Sequence, residues 1–229
     1  MKQQITEAIV LTRTDYGEAD RVITLLTPDH GKLRLMAKGV RRVKSKLAGG
    51  IELFSVSTIT FVQGRGGIGT LISSRLLKHY GRIVQDLDRT MAGYDLIKRL
   101  HTVTEDQPEP EYFTLLSQTF ESLDNHSLSL PIIRFWFDCQ LLRLGGHTPN
   151  LQTDVRGNKL DAKKVYNFDF ETMAFVPFDH GSHRADHIKF LRLSFAGHTP
   201  KVLGQVKNSE QLLMVTAPLV ATISQDILQ

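Results

Sequence analysis

Gly31-Lys32-Leu33-Arg34-Leu35-Met36-Ala37-Lys38-Gly39 alternates: in an extended chain Leu33, Leu35 and Ala37 fall on one side and Lys32, Arg34 and Lys38 on the other. A strand of this kind buries its aliphatic side and turns three cations onto one outer face. Similar runs flank it, Glu7–Thr14 and Arg21–Thr27 before, Glu52–Gln63 and Thr70–Leu77 after. They are rich in Val, Ile, Leu, Thr and Phe and are separated by Asp15-Tyr16-Gly17, Pro28-Asp29-His30-Gly31 and Gly64-Arg65-Gly66-Gly67. Five short strands with one long connection predict a closed barrel of the OB type over residues 1–80.

Charge is distributed unevenly over the 229 residues. The formal net charge is +4, yet residues 1–80 hold 13 Lys/Arg against 6 Asp/Glu while the remainder holds 15 against 18. Between His30 and Ile51 stand seven basic residues, Lys32, Arg34, Lys38, Arg41, Arg42, Lys44 and Lys46, and no acidic one. Cations concentrated on an OB barrel suit a polyanion: they track the phosphates of a single strand while aromatic rings, here Tyr16, Phe54 or Phe61, stack on bases. The bland alternative is a solvated face that only keeps the protein dispersed.

Beyond the barrel the period changes. Ile83, Leu87, Met91, Tyr94, Ile97 and Leu100 recur at helical spacing from about Arg82. The break Gln107-Pro108-Glu109-Pro110 precedes a second helix marked by Tyr112, Phe113, Leu116, Phe120 and Leu123, and Pro131 opens a third, Ile132–Leu144, apolar on nearly every side. The polar segment 151–186 predicts a small inserted hairpin, Val165–Phe170 turning at Glu171-Thr172 into Ala174–Phe178. Helical spacing returns over 187–229, where Pro218 is expected to kink or divide the last helix. The reading is an α+β chain: barrel 1–80, helical domain 81–150, insertion 151–186, helical domain continued 187–229.

Several function classes lose support. No apolar run reaches the roughly 18 residues of a membrane span, and the polar start Met1–Glu7 is unlike a signal peptide, so a cytoplasmic location is expected. The single cysteine, Cys139, lies among Trp136, Phe137, Leu141 and Leu142, a setting for a packed thiol and not for an activated one. There is no Gly-x-x-x-x-Gly-Lys-Ser/Thr loop and no Gly-x-Ser-x-Gly elbow, and the glycines of Gly64–Gly69 lie between two strands where a phosphate loop needs a helix. No catalytic residue, cofactor or metal is assigned, and the chain reads as a binding protein, not an enzyme.

Residues Glu7–Gly31 (EAIVLTRTDYGEADRVITLLTPDHG), Lys32–Gly49 (KLRLMAKGVRRVKSKLAG) and Leu142–Leu151 (LRLGGHTPNL) closely resemble the bacterial RecO family, most strongly over Glu7–Phe54 and weakly after about Asp161. The resemblance implies an OB-fold and a helical domain that bind single- and double-stranded DNA and anneal complementary strands in repair and recombination without nucleotide hydrolysis. It also implies RecR and the acidic C-terminal tail of single-strand DNA-binding protein as partners, the recombinase RecA indirectly, and a nucleoid-associated location. By that analogy the cations of Lys32–Lys46 hold DNA.

Zinc-bearing members of that family carry two Cys-x-x-Cys pairs in the insertion, and both are missing here. The first pair falls near Thr153 and Arg156, the second near His180 and His183. A cluster Asp179, His180, His183, Asp186 and His187 remains, whose spacing fits no four-coordinate zinc arrangement. Two competing readings remain: a metal-dependent hydrolase or nuclease using that cluster, and an adaptor of the same fold that has lost DNA affinity.

Overall fold

The structure, a computed structural model, describes residues 2–64, 66–107 and 109–227; Met1, Arg65 of the Gly64–Gly69 connection and Pro108 of the proline-rich break lie outside the described residues. Strands β1 (Gln3–Tyr16), β2 (Asp20–Thr27), β3 (Gly31–Ala37), β4 (Ser55–Val62) and β5 (Ile68–His79) are followed by α1 (Leu87–Val103), α2 (Pro110–Asp124) and α3 (Leu130–Leu144). Then come β6 (Asn150–Asp154), β7 (Tyr166–Asp169), β8 (Ala174–Pro177), α4 (Ala185–Phe195), α5 (Pro200–Gly204) and α6 (Ser209–Ile227). The expected α+β class, barrel first and helices after, is what forms. The chain divides into two compact units, Met1–Asn125 and His126–Gln229.

In the first unit the strands close in the order β1-β2-β3-β5-β4, with β4 returning to pair with β1. Every pairing is antiparallel except β3 with β5, which join in parallel at Arg34/Ile68, Leu35/Gly69 and Met36/Thr70. At that seam a side chain on Gly69 would stand 2.7 Å from the Val62 carbonyl oxygen and 2.8 Å from Leu35, so the closing strand needs a glycine there. The alternation of β3 holds: Leu33, Leu35 and Ala37 join Val10, Ile23, Leu25, Ile59, Phe61 and Leu71 in the interior. Two of the proposed stacking rings are therefore core residues, because Phe61 shares the inward phase of Ile59 and Phe54 is also fully buried.

Phe54 anchors the helices of this unit. Its backbone is in the left-handed region, φ 55°, and its ring meets Tyr94 and Phe120 edge-on at 5.3 and 5.5 Å. A Cβ on Gly93 would lie 2.5 Å from that ring, so α1 presents its smallest residue to it. This corrects the expected helix face. Leu87, Met91 and Tyr94 are exposed, and α1 buries Arg89, Ala92, Gly93, Leu96, Ile97 and Leu100. Asp86 caps α1 by accepting from the Arg89 N–H at 3.1 Å, and the Arg89 guanidinium donates to the carbonyls of Leu123 and Asn125 at the end of α2.

The second unit is built around α3, buried on nearly every side as its composition predicts. Phe135 stacks on Phe190 of α4 at 5.6 Å, Gln140 Nε2 donates to the Ser194 carbonyl at 2.6 Å, and Trp136 Nε1 donates to the His198 carbonyl. Pro218 does not divide the last helix: α6 runs through it. Pro218 and Met214, the residue four before it, are both exposed, so the proline ring falls on the solvated side of the helix. The insertion holds the expected hairpin, β7 with β8, and a further strand, β6, parallel to β8. Among the described residues no helix is long and apolar enough to cross a membrane.

Candidate nucleic-acid interface

The seven cations named from the sequence have different surroundings. Lys32 lies on the outer side of β3, but its ammonium donates to the carbonyls of His101, at 3.3 Å, and Thr104, where it caps the end of α1. That contact corrects the expectation of three equivalent outward cations on β3. Arg34 is exposed, in a cross-strand row Thr12–Thr24–Arg34 set by the register of β1, β2 and β3. The row floors a cleft of about 410 Å³ that Thr14, Val22, His101 and Asp106 also line. Burial and then the Lys32 charge hold the His101 imidazole below the ordinary histidine range, which favours its neutral form.

Lys38, Arg41, Arg42, Lys44 and Lys46 belong to the long connection between β3 and β4, and all five are exposed. The connection is fixed at both ends. At its start the Gly39 N–H donates to Asp20 Oδ1 at 2.7 Å and the Arg41 N–H to the Ala19 carbonyl at 3.0 Å, while Val40 is buried. At its end Ser74 Oγ of β5 donates to the Leu47 carbonyl at 2.9 Å, and Leu47 and Ala48 pack against the barrel core. Apolar residues pin the ends, so the basic stretch between them is held out in water.

Asp15 of the β1–β2 hairpin reaches this segment. It accepts from Arg21 Nε at 2.7 Å and lies 3.5 Å from Arg41 Nε, and the Arg21 hydrogen bond keeps its carboxyl below the usual carboxylate range. Arg41 is thus partly neutralised, whereas no ion pair reaches Arg34, Lys38, Arg42, Lys44 or Lys46 among the described residues. Tyr16, beside Asp15, is 60% exposed, so of the three rings named from the sequence it is the one open to a base. The threonine row and the Asp15 brake escape a reading of sequence alone; alternation in β1 and β2 signals their outward phase, but only the register brings them together.

The histidines of the insertion have structural contacts. His183 is buried against Phe175, with ring centres 5.6 Å apart, and its backbone exchanges hydrogen bonds with Tyr166 at 2.9 Å. His187 Nδ1 accepts from the Arg184 N–H at 3.1 Å, and His180 lies against Phe178. Among the described residues no three His, Cys, Asp or Glu side chains are grouped to hold a metal. The zinc of related insertions does not fit these donors, and the aromatic cluster Tyr166, Phe168, Phe175 and His183 stands in the middle of the small sheet. The hydrolase reading loses its site.

Comparison with known proteins identifies the family. Residues 1–80 match the family model described as recombination protein O N terminal, and residues 85–191 the one described as recombination protein O C terminal. The chain is similar to the DNA repair protein RecO of Dehalococcoides mccartyi, 36% identical over 148 residues, 64% of this chain and 58% of that one. It is similar to that of Bacillus pumilus, 31% over 172 residues, 75% and 66%, and to that of Rhodopirellula baltica, 34% over 147 residues, 63% and 54%. The matched stretch therefore spans less than two thirds of these relatives' own length. With both family models matched in order, one over the barrel and one over most of the remaining chain, the protein belongs to the recombination protein O (RecO) family.

Proposed function

We propose that the chain acts in DNA repair and recombination as a mediator that binds DNA, chiefly single strands, through the β3–β4 connection and the outer side of β3. The observation that carries this reading is the pinned basic connection: Lys38, Arg42, Lys44 and Lys46 are exposed and unpaired among the described residues, between anchors that keep them from collapsing onto the barrel. Arg34 and Tyr16 extend the grip by one further cation and one aromatic face, and Lys32 contributes by holding α1. Binding energy alone drives the activity on this reading, and duplex DNA binds through the same phosphate contacts.

The partners expected of the family belong to the same proposal: RecR, the acidic tail of single-strand DNA-binding protein, and RecA indirectly. In the second unit a cleft of about 420 Å³ between α4 and α6 is lined by Phe190, Leu193, Leu212 and Lys207, and by Lys189, which Asp186 partly neutralises at 3.3 Å. An acidic peptide with an apolar end needs that pairing of cation and apolar wall. The test of the DNA reading is charge reversal, R42E/K44E/K46E. At 0.1 M salt the loss of three phosphate contacts weakens oligonucleotide binding about a hundredfold and annealing falls with it. Unchanged affinity would leave the adaptor reading in its place.

A further inference from the structure

The second unit has a cationic cleft of its own. Lys163, Lys164 and Val165 form one wall, Pro177, Phe178 and His180 the other, around a volume of about 600 Å³ that Asp179 also lines. The walls are tied together where the Phe178 N–H donates to the Val165 carbonyl at 3.1 Å, and the Gly181 N–H closes the Phe178–Gly181 turn on the Phe178 carbonyl at 2.9 Å. The lysine turn is equally fixed. The Asp161 N–H donates to Tyr166 Oη at 2.7 Å, and the Lys163 N–H donates to Asp161 Oδ1 at 2.9 Å. This turns the Asp161 carboxylate toward the backbone, and no ion pair reaches Lys163 or Lys164 among the described residues. Between Val155 and Phe168 four basic residues stand against that one acid.

Opposite the lysines, Phe178 is 52% exposed, with the exposed His180 ring edge-on at 6.4 Å. A large aromatic face left in water beside two unpaired cations is the surface on which a base stacks while its flanking phosphates are neutralised. We propose that this cleft is a second single-strand site, which holds one DNA strand while the barrel holds another. The inference rests on the DNA-binding reading above, since a chain that holds two strands at once brings them together for pairing. An acidic peptide suits it less well, since the aliphatic lining here is only Val165 and Pro177, against Leu193, Val206 and Leu212 in the α4–α6 cleft.

The test uses the full chain and two non-complementary oligothymidines, one carrying a donor dye and one an acceptor, so that energy transfer reports two strands on one protein. Complementary labelled oligonucleotides then report annealing. In K163E/K164E and in F178A the first strand binds within about twofold of the parent, as expected of an independent site. The second strand binds about tenfold more weakly, the size of one lost stacked base or two lost phosphate contacts, and annealing slows in proportion. Should charge reversal disturb folding, judged by circular dichroism, K163Q/K164Q gives the same direction with a smaller change. Variants that hold two strands and anneal like the parent overturn the proposal, as does a parent that saturates with one strand, which leaves the barrel reading intact. A parent that binds no oligonucleotide overturns both.

Discussion

The barrel and the inserted sheet solve the same problem, holding a basic loop rigid, by different means. The barrel closes on itself around aliphatic side chains and pins its basic connection through Asp20, Val40, Leu47 and Ser74. The insertion has only three short strands, too few to enclose a core, and packs them around Tyr166, Phe168, Phe175 and His183. The two regions should therefore differ in how fragile their stability is. In the first region it is spread over many aliphatic contacts and a closed hydrogen-bond ladder, and in the second it depends on a few rings.

The largest effect expected comes from that contrast. Phe175→Ala, at a fully buried ring, costs about 3–5 kcal/mol and unfolds the insertion, while first-strand DNA binding survives. Phe61→Ala costs a similar amount in the barrel, which its remaining aliphatic contacts keep folded in buffer, and DNA binding is then lost at a lower denaturant concentration than in the parent. Denaturant melts followed by anisotropy on the same samples separate the two, and equal loss of DNA binding in both variants would break the contrast. Next comes Arg89→Met, which removes the guanidinium hydrogen bonds to the Leu123 and Asn125 carbonyls and destabilises the first unit by about 2 kcal/mol in the same melts.

Smaller effects sharpen the comparison. Burial and then the His187 charge hold His183 below the ordinary histidine range, so the unfolded chain takes up a proton first. Stability from this group is full above about pH 6.5 and is lost as pH falls below that value toward the lowered one. Thermal midpoints between pH 8 and 5.5 should fall more for the parent than for His183→Gln. The smallest change expected is at Asp15. Asp15→Asn releases Arg41 from its counter-charge and tightens oligonucleotide binding about twofold, with the gain fading at high salt.

Much of this is legible in the residues themselves. The aliphatic and cationic phases of β3 and the turn chemistry between strands come from period-2 alternation, and the buried α3 from its composition. The features that escape depend on contacts between distant segments. The face of α1 is misread because Leu87, Met91 and Tyr94 outnumber the small residues that meet Phe54, and a glycine such as Gly93 adds nothing to an apolar count. Lys32 reads as free because the carbonyls it caps lie about seventy residues away. Strand β6, Asn-Leu-Gln-Thr-Asp, has too little apolar character to announce itself and exists through β8. Around β3 the cations are legible, since charge is local, while the Thr12–Thr24–Arg34 row is not, since register is not.

Fluorescence anisotropy of a labelled single strand across a salt series measures the grip of the basic connection on phosphates. With five exposed cations each neutralising one phosphate, log affinity should fall with log salt at a slope of about −3.5, roughly a hundredfold between 50 and 200 mM. A flat slope, or no association at 50 mM, would contradict the claim that the pinned basic connection grips a sugar-phosphate backbone.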